Sequence, residues 1–173
     1  GDMELAENMI KKAKESGAAI AKFQTWQVSK LKEGEWDHDG RKEIYIKAEL
    51  SRDKHELLKK YCEELEILFM SSAFSVEDAE LLCNLNCKHI KIPSFEINNI
   101  DLLKFCKENF DEIYISTGTA NEQEILEVQN IFSNWKGKLI VMHCVSAYPC
   151  EAKDINLPRI NHLKKYFNNV GFS

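Results

Sequence analysis

A chain of 173 residues, 44% hydrophobic and 29% charged, carries enough apolar mass for one well-buried domain and reads as folded rather than disordered. Its net charge of −5 and pI near 5.6 offer no global attraction to nucleic acid or to an anionic membrane surface, while leaving room for a local basic pocket. No apolar run approaches the ~20 residues of a spanning helix and no signal-peptide pattern opens the chain. The six cysteines, at positions 62, 83, 87, 106, 144 and 150, form neither a C-x-x-C nor a framework spacing, and they read as reduced thiols of a cytoplasmic protein.

In chain order, residues 2–16 place Leu5, Met9, Ile10 and Ala13 on one helical face, with Asp2 to cap the start and Gly17 to end it. Residues 18–24 read as a short buried strand. Residues 26–50, with Trp26, Gly34, Trp36, Gly40 and Tyr45, read as a long excursion holding one helical turn near its end, the kind of loop that often carries function. A helix from Arg52 turns Leu57, Leu58, Tyr61 and Leu65 inward, and a strand follows over 67–72. Ser75 with Asp78 forms a capping-box pattern for a helix carrying Val76, Ala79, Leu82 and Leu85. The next strand runs from 88 into Lys91-Ile92-Pro93-Ser94-Phe95-Glu96, with Lys91 on one face and Ser94 and Glu96 on the other. A helix over 100–109, a strand over 112–117, a helix over 120–133 capped by Thr119 with Glu122, a strand over 139–145, a helix around 157–167 and a strand over 170–172 complete the pattern.

Strands therefore start near 19, 67, 88, 112, 138 and 170, each divided from the next by a helix. Short apolar strands alternating with amphipathic helices predict a parallel sheet covered by helices, and without a Gly-rich dinucleotide loop the barrel form is favoured over the open form. A full eight-unit barrel needs about 250 residues. The expected fold is thus α/β of the (β/α)8 TIM-barrel type, incomplete, comprising about strands 2 to 7 with their helices in a single partial domain.

Parallel barrels place their chemistry at the carboxyl ends of the strands, and those ends are polar here. They carry Lys22 with Gln24, Ser71 with Ser72, Lys91 with Ser94 and Glu96, Ser116 with Thr117 and Gly118, Ser146 with Tyr148, and Ser173. Two lysines and a ring of hydroxyls, backed by helix amino termini, suit a phosphate or a carboxylate: point charges, short donors and backbone N–H groups. Helix capping accounts for Ser75, Thr119 and part of the remainder. It does not account for lysines at the ends of buried strands. His143 and Cys144, being adjacent on a strand, point to opposite faces and cannot act as base and nucleophile together. His143 then faces the barrel interior near the site or packs in the core. Cys83 and Cys87, one helical turn apart, read as packing residues, since no further metal ligands stand nearby.

Five segments in order, Ala21-Lys22-Phe23-Gln24-Thr25, Phe69-Met70-Ser71-Ser72-Ala73-Phe74, Lys91 to Ile97, Ile115-Ser116-Thr117-Gly118, and His143-Cys144-Val145-Ser146-Ala147-Tyr148-Pro149, closely resemble the barrel domain of the sialic acid synthase (N-acetylneuraminate synthase) family. The resemblance covers essentially the whole chain. It implies condensation of phosphoenolpyruvate with an N-acyl hexosamine, typically N-acetylmannosamine, to a nine-carbon keto sugar acid and phosphate. In that reaction C3 of phosphoenolpyruvate attacks the sugar aldehyde, water adds at C2 and phosphate departs, with a divalent metal, Mn or Mg, activating the aldehyde. Carried over by motif, Lys22, Ser72, Lys91, Ser94, Ser116, Ser146 and Ser173 would bind phosphoenolpyruvate. Gln24, Phe74, Glu96 and Tyr148 would contact the sugar, and Lys91 and Glu96 would be catalytic. Ser72 stands where relatives often have Thr, Ser146 where they have Asn or Ser, and Phe95 where many have Gly.

The family also carries a catalytic Glu on the first barrel strand, before an Asn-His-x-Gly-Asp turn whose tail Gly1-Asp2 resembles. Its metal-binding His follows a Gly-x-Ser that Gly171-Phe172-Ser173 matches, and a second lies on the eighth strand. The expectation is therefore a chain lacking the first strand, the metal ligands beyond Ser173 and the C-terminal antifreeze-like domain, inactive alone and binding no metal, from a protein that is a homodimer at full length. The acceptor stays open between N-acetylmannosamine and a diacetamido hexose, which would give pseudaminic or legionaminic acid. A non-catalytic barrel remnant that only binds a phosphorylated ligand is the alternative from another class. No nucleic acid or membrane partner is expected.

Overall fold

A computed structural model of the chain describes residues 1–31 and 33–173; position 32, inside the expected excursion, lies outside the described residues. The chain divides into two compact units, Gly1–Leu85 and Asn86–Ser173.

In the first unit, helix α1 (Met3–Glu15) leads into strand β1 (Ile20–Thr25). Short 3-10 turns follow at Val28–Lys30 and Glu35–Asp37, then α2 (Arg41–Ala48), α3 (Arg52–Glu64), β2 (Leu68–Ala73) and α4 (Val76–Asn84). The ends of α1 follow from its sequence. The Asp2 carboxylate accepts from the Leu5 N–H at 3.0 Å, and Gly17 takes a φ of +85°, a left-handed conformation that costs glycine least. β1 and β2 pair in parallel, Ile20 opposite Leu68 through to Thr25 opposite Ala73. Ile10, Leu58, Cys62 and Leu82 are almost fully buried, and each such aliphatic side chain contributes roughly 1.5–3 kcal/mol.

Two inward faces differ from expectation. Leu5, Met9 and Leu57 are exposed at 57%, 63% and 57%. Met9 lies ~100° round α1 from the buried Ile10, and Leu57 stands in the same relation to Leu58. The buried stripe of α3 is His55, Leu58 and Cys62, so a histidine occupies a core position that apolar periodicity assigns to leucine. The excursion holds a two-turn helix, α2, rather than a single turn.

In the second unit, β3 (His89–Ile92), a 3-10 turn (Ser94–Glu96), α5 (Ile100–Asn109), β4 (Glu112–Ser116) and α6 (Glu122–Phe132) come first. β5 (Lys138–His143), a 3-10 turn (Ala152–Asp154), α7 (Arg159–Leu163) and β6 (Val170–Phe172) follow. β3, β4, β5 and β6 are laid side by side in chain order, all parallel, so their carboxyl ends share one edge. Ile90, Ile92, Leu102, Leu103, Ile113, Ile115, Ile125 and Leu163 form the core.

β3 stops at Ile92 because Pro93 has no N–H for the ladder. Ser94 and Glu96 therefore sit in a 3-10 turn rather than on one strand face. α6 starts later than expected, and its cap is Asn121 with Glu124, a complete capping box; Thr119 is engaged elsewhere. α7 is five residues long, where a helix over 157–167 was expected. The strand–helix alternation and the six strand positions are those of an incomplete barrel of the (β/α) type. Among the described residues no helix is long and apolar enough to cross a membrane.

Candidate functional site

In the second unit the alternation along β3 decides which side chains reach the strand edge. Ile90 and Ile92 are fully buried on one face, which leaves Lys91, 9% exposed, on the other. Its Nζ donates to the Ile92 carbonyl oxygen at 2.9 Å and to Ser116 Oγ. Ser116 ends β4, on the face opposite the buried Ile113 and Ile115. The buried ammonium is thus held at the carboxyl end of the sheet by a neighbouring strand.

Gly118 brings the remaining groups together. A Cβ there would lie 2.7 Å from Ser146 Oγ, 2.9 Å from Cys144 Sγ and 3.0 Å from Ser94 Oγ, so three side chains converge on space that only glycine leaves open. The Gly118 N–H donates to Ser94 Oγ at 3.0 Å, and Cys144 Sγ lies 3.3 Å from the same oxygen. Thr119 Oγ1 donates to the Ser94 carbonyl oxygen at 2.8 Å, and Thr117 Oγ1 to the Met142 carbonyl oxygen at 3.1 Å. Two threonines thereby lock the loop after β4 onto its neighbours. The Lys91–Ser116 pair and the group of two hydroxyls and a thiol at Gly118 thus both stand at the strand ends, a set suited to an anionic group.

The other residues expected in this unit are engaged differently. Glu96 is turned onto its own loop, its Oε2 accepting from Asn99 Nδ2 at 2.8 Å. Tyr148 is 98% exposed. The Ser173 backbone N–H donates to the His143 carbonyl oxygen at 2.9 Å, which continues the sheet rather than fixing its hydroxyl. His143 is buried and its Nε2 donates to the Ile155 carbonyl oxygen at 2.7 Å, while Cys144 meets Ser94. The two side chains point apart as strand geometry requires, so His143 packs away from the cluster.

In the first unit, Lys22 and Ser72 meet across β1 and β2, Nζ to Oγ 3.4 Å. Lys22 is itself exposed, unlike the buried strand-end lysine expected, and partial desolvation holds its pKa below the usual lysine value. Ser72 is buried, whereas Gln24, opposite it in register, is exposed. Phe74 follows β2, with its ring edge-on to Trp26 at 5.9 Å. Its N–H donates to Asp78 Oδ2 at 3.1 Å. The expected capping box is thus half made. The Asp78 N–H donates to Ser75 Oγ at 3.2 Å, but the Asp78 carboxylate caps Phe74 instead. Asp78 is 3% exposed, and burial raises its pKa.

Sequence reasoning missed Cys144 as a member of the cluster and Thr119 as the tether of Ser94. It also missed Thr25 and His55, which join Ser71 in a buried polar chain behind Lys22 and Ser72. Their only sequence signal is position: each flanks, or packs behind, a strand end already singled out.

The metal implied by the resemblance meets no matching ligand set. Among the described residues no three His, Cys, Asp or Glu side chains converge as metal ligands, and His143 has one ring nitrogen committed to a backbone carbonyl.

Comparison with known proteins matches residues 9–173 to the model of the NeuB family. The N,N'-diacetyllegionaminic acid synthase of Legionella pneumophila is 34% identical over 190 positions, covering 100% of this chain and 53% of that protein. The pseudaminic acid synthase of Campylobacter jejuni is 34% identical, covering 100% of this chain and 54% of that protein. Among solved structures, the N-acetylneuraminic acid synthetase of Leptospira borgpetersenii, crystallised with citrate, superposes with a TM-score of 0.89 at 31% identity, over 99% of this chain and 60% of that one. The chain spans about half the length of the curated relatives it matches.

Proposed function

Because the chain belongs to the NeuB family, we propose that it takes part in condensing phosphoenolpyruvate with an N-acylated hexosamine to a nine-carbon keto sugar acid, with release of phosphate. The observation that carries this reading is a buried ammonium, Lys91, bonded to Ser116 at the strand ends, with Ser94 and Ser146 gathered at Gly118 on the loop after the same strand. Lys91 and Ser116 are buried, Ser94 is half-buried and Ser146 is exposed, and an ammonium held beside hydroxyls that open to solvent favours an anion over a neutral ligand.

Lys91 neutralises the phosphate or carboxylate of phosphoenolpyruvate, and Ser94, Ser116 and Ser146 fix its orientation. Lys22 and Ser72 are assigned to the same substrate, and Ser173 with them. Held so, the enol presents C3 to the sugar aldehyde. The new C–C bond forms from the C2–C3 π pair, water adds to the cation left at C2, and the hemiketal phosphate collapses to the ketone with loss of phosphate. The chain's part is orientation and charge stabilisation. Gln24, Phe74, Glu96 and Tyr148 are assigned to the sugar. Glu96 is a carboxylate beside the anion cluster in sequence, and it acts there on a sugar hydroxyl. The described residues form no ligand set for a divalent metal. Homodimeric assembly and a cytoplasmic setting belong to the same proposal; the latter is supported by cysteines carried as thiols.

A second reading concerns the acceptor alone. Two relatives at 34% identity are named for legionaminic and pseudaminic acids, which favours testing diacetamido hexoses beside N-acetylmannosamine. The experiment is phosphate release from phosphoenolpyruvate by the complete gene product, with a panel of both acceptor types and Lys91→Ala as control. The expected result is release that requires an N-acyl hexosamine and falls at least 10²-fold in Lys91→Ala, on the order of losing one preorganised charge contact. Release with no acceptor on the panel, or release undiminished in Lys91→Ala, would overturn the reading.

A further inference from the structure

Behind the first unit's site residues lies a buried polar chain that the proposed chemistry does not use. Thr25 is 3% exposed, His55 0% and Ser71 0%. Thr25 Oγ1 lies 2.8 Å from His55 Nε2 and 2.8 Å from Ser71 Oγ, while His55 Nδ1 lies 3.0 Å from the Ser51 carbonyl oxygen.

The direction of every proton follows. A carbonyl oxygen can only accept, so Nδ1 carries the ring proton. A neutral imidazole then has a bare Nε2, which accepts from the Thr25 hydroxyl. Having given its one proton, Thr25 accepts from Ser71. The sequence of donors is Ser71 to Thr25 to His55 to Ser51, ending on the backbone at the start of α3. The groups facing the ring are Thr25 from β1, Ser71 and Phe69 from β2, the Phe69 ring 6.4 Å away and edge-on, and the Ser51 backbone. None of them ionises near neutrality. Burial lowers the His55 pKa, which keeps the ring neutral as the relay requires.

The relay has a place in the strand pattern. Thr25 directly follows Gln24, and Ser71 directly precedes Ser72. Neighbours on a strand face opposite ways, so the relay occupies the back of the same strand ends whose front carries Lys22, Gln24 and Ser72.

We propose that His55, Thr25 and Ser71 form a fixed-direction hydrogen-bond relay that positions Lys22, Gln24 and Ser72 for substrate, with His55 a positioning residue locked in the Nδ1–H tautomer. The assignment of substrate contact to those three residues rests on the reading above; the tautomer does not.

Two measurements test it. In the first, 15N spectra of the histidine-labelled chain, assigned through backbone correlations, report the state of the His55 ring. The relay requires Nδ1–H with a bare Nε2 at pH 7.5, and an Nε2–H tautomer overturns it. In the second, phosphoenolpyruvate is titrated into the unchanged chain and into Thr25→Val and Thr25→Ser, with circular dichroism confirming that each is folded. Thr25→Val removes the hydroxyl at nearly constant shape and is expected to weaken binding about five- to tenfold, while Thr25→Ser stays within about twofold, as for one net hydrogen bond lost or kept. Should Thr25→Val not fold, Ser71→Ala breaks the next link and carries the same expectation. Unchanged affinity in a folded Thr25→Val or Ser71→Ala overturns the positioning role. No binding by the unchanged chain sinks the substrate reading and the positioning role together, while the tautomer still reports on the relay by itself.

Discussion

Gly118 shows how one residue without a side chain organises its neighbours. Ser94, Cys144 and Ser146 all approach to within 3.0 Å of the place its Cβ would take, closer than nonbonded carbon contacts allow, so Gly118→Ala must push at least two of them aside. Its effect belongs on the ligand, since Ser146 and Ser94 among the crowded groups are proposed anion contacts. The expected result is phosphoenolpyruvate affinity reduced by about tenfold or more, with a melting temperature lowered by only a few degrees, as for a modest overpacking cost. Titration calorimetry beside thermal unfolding checks it, and full affinity with lowered stability would place the constraint in packing alone. At this scale the strand-end positions of the candidate residues were legible. Lys91, Ser94 and Ser116 stand out in sequence as polar residues at or just past the ends of apolar strands, with Gly118 two residues beyond. Glu96 and Tyr148 were not placed by the same reasoning. A carboxylate in a 3-10 turn bonds its nearest amide, Asn99, and a side chain on a loop has no strand parity to fix its direction. Thr25 and His55 were illegible for the opposite reason. A threonine in a strand and a histidine in a helix are ordinary residues until three elements bring them within hydrogen-bond distance.

At the scale of elements, the six strands begin within a residue or so of where alternation of apolar strands and helices puts them, because a buried parallel strand is a short apolar run bounded by turn residues. Helix ends were less legible where two caps compete. Thr119 with Glu122 and Asn121 with Glu124 both fit the capping pattern, and the chain uses the second because the Thr119 hydroxyl is taken by the Ser94 carbonyl oxygen. The two residues thus have separable roles. Asn121→Ala is expected to cost about 1 kcal/mol of stability, the usual loss for an N-cap, and to leave phosphoenolpyruvate affinity unchanged. Thr119→Ala is expected to spare α6 and weaken the ligand by freeing the loop that holds Ser94. Chemical denaturation and calorimetry on the pair separate the two, and the reverse assignment of losses would show that Thr119 is the working cap. Inward faces were legible only as stripes. On α1 and α3 the apolar residues span more of the helix than the neighbouring elements cover, which leaves Leu5, Met9 and Leu57 in solvent.

For the whole molecule, the repeat of strands and helices declared the α/β barrel type, and membership of the NeuB family agrees with it. What the alternation alone could not declare is how the chain is partitioned into two compact units, Gly1–Leu85 and Asn86–Ser173, since every repeat looks alike in sequence. Each unit carries its own lysine and serine pair at a strand edge, Lys22 with Ser72 and Lys91 with Ser116, and the account assigns both pairs to one substrate class. Its central claim is that the cluster around Lys91 is an anion site made for phosphoenolpyruvate. Isothermal titration of phosphoenolpyruvate into the chain and into Lys91→Ala tests that claim most directly. The account predicts saturable binding that Lys91→Ala weakens by about two orders of magnitude, the loss expected on deleting a charge-assisted contact from a buried ammonium; equal binding by both proteins, or none by the unchanged chain, would contradict it.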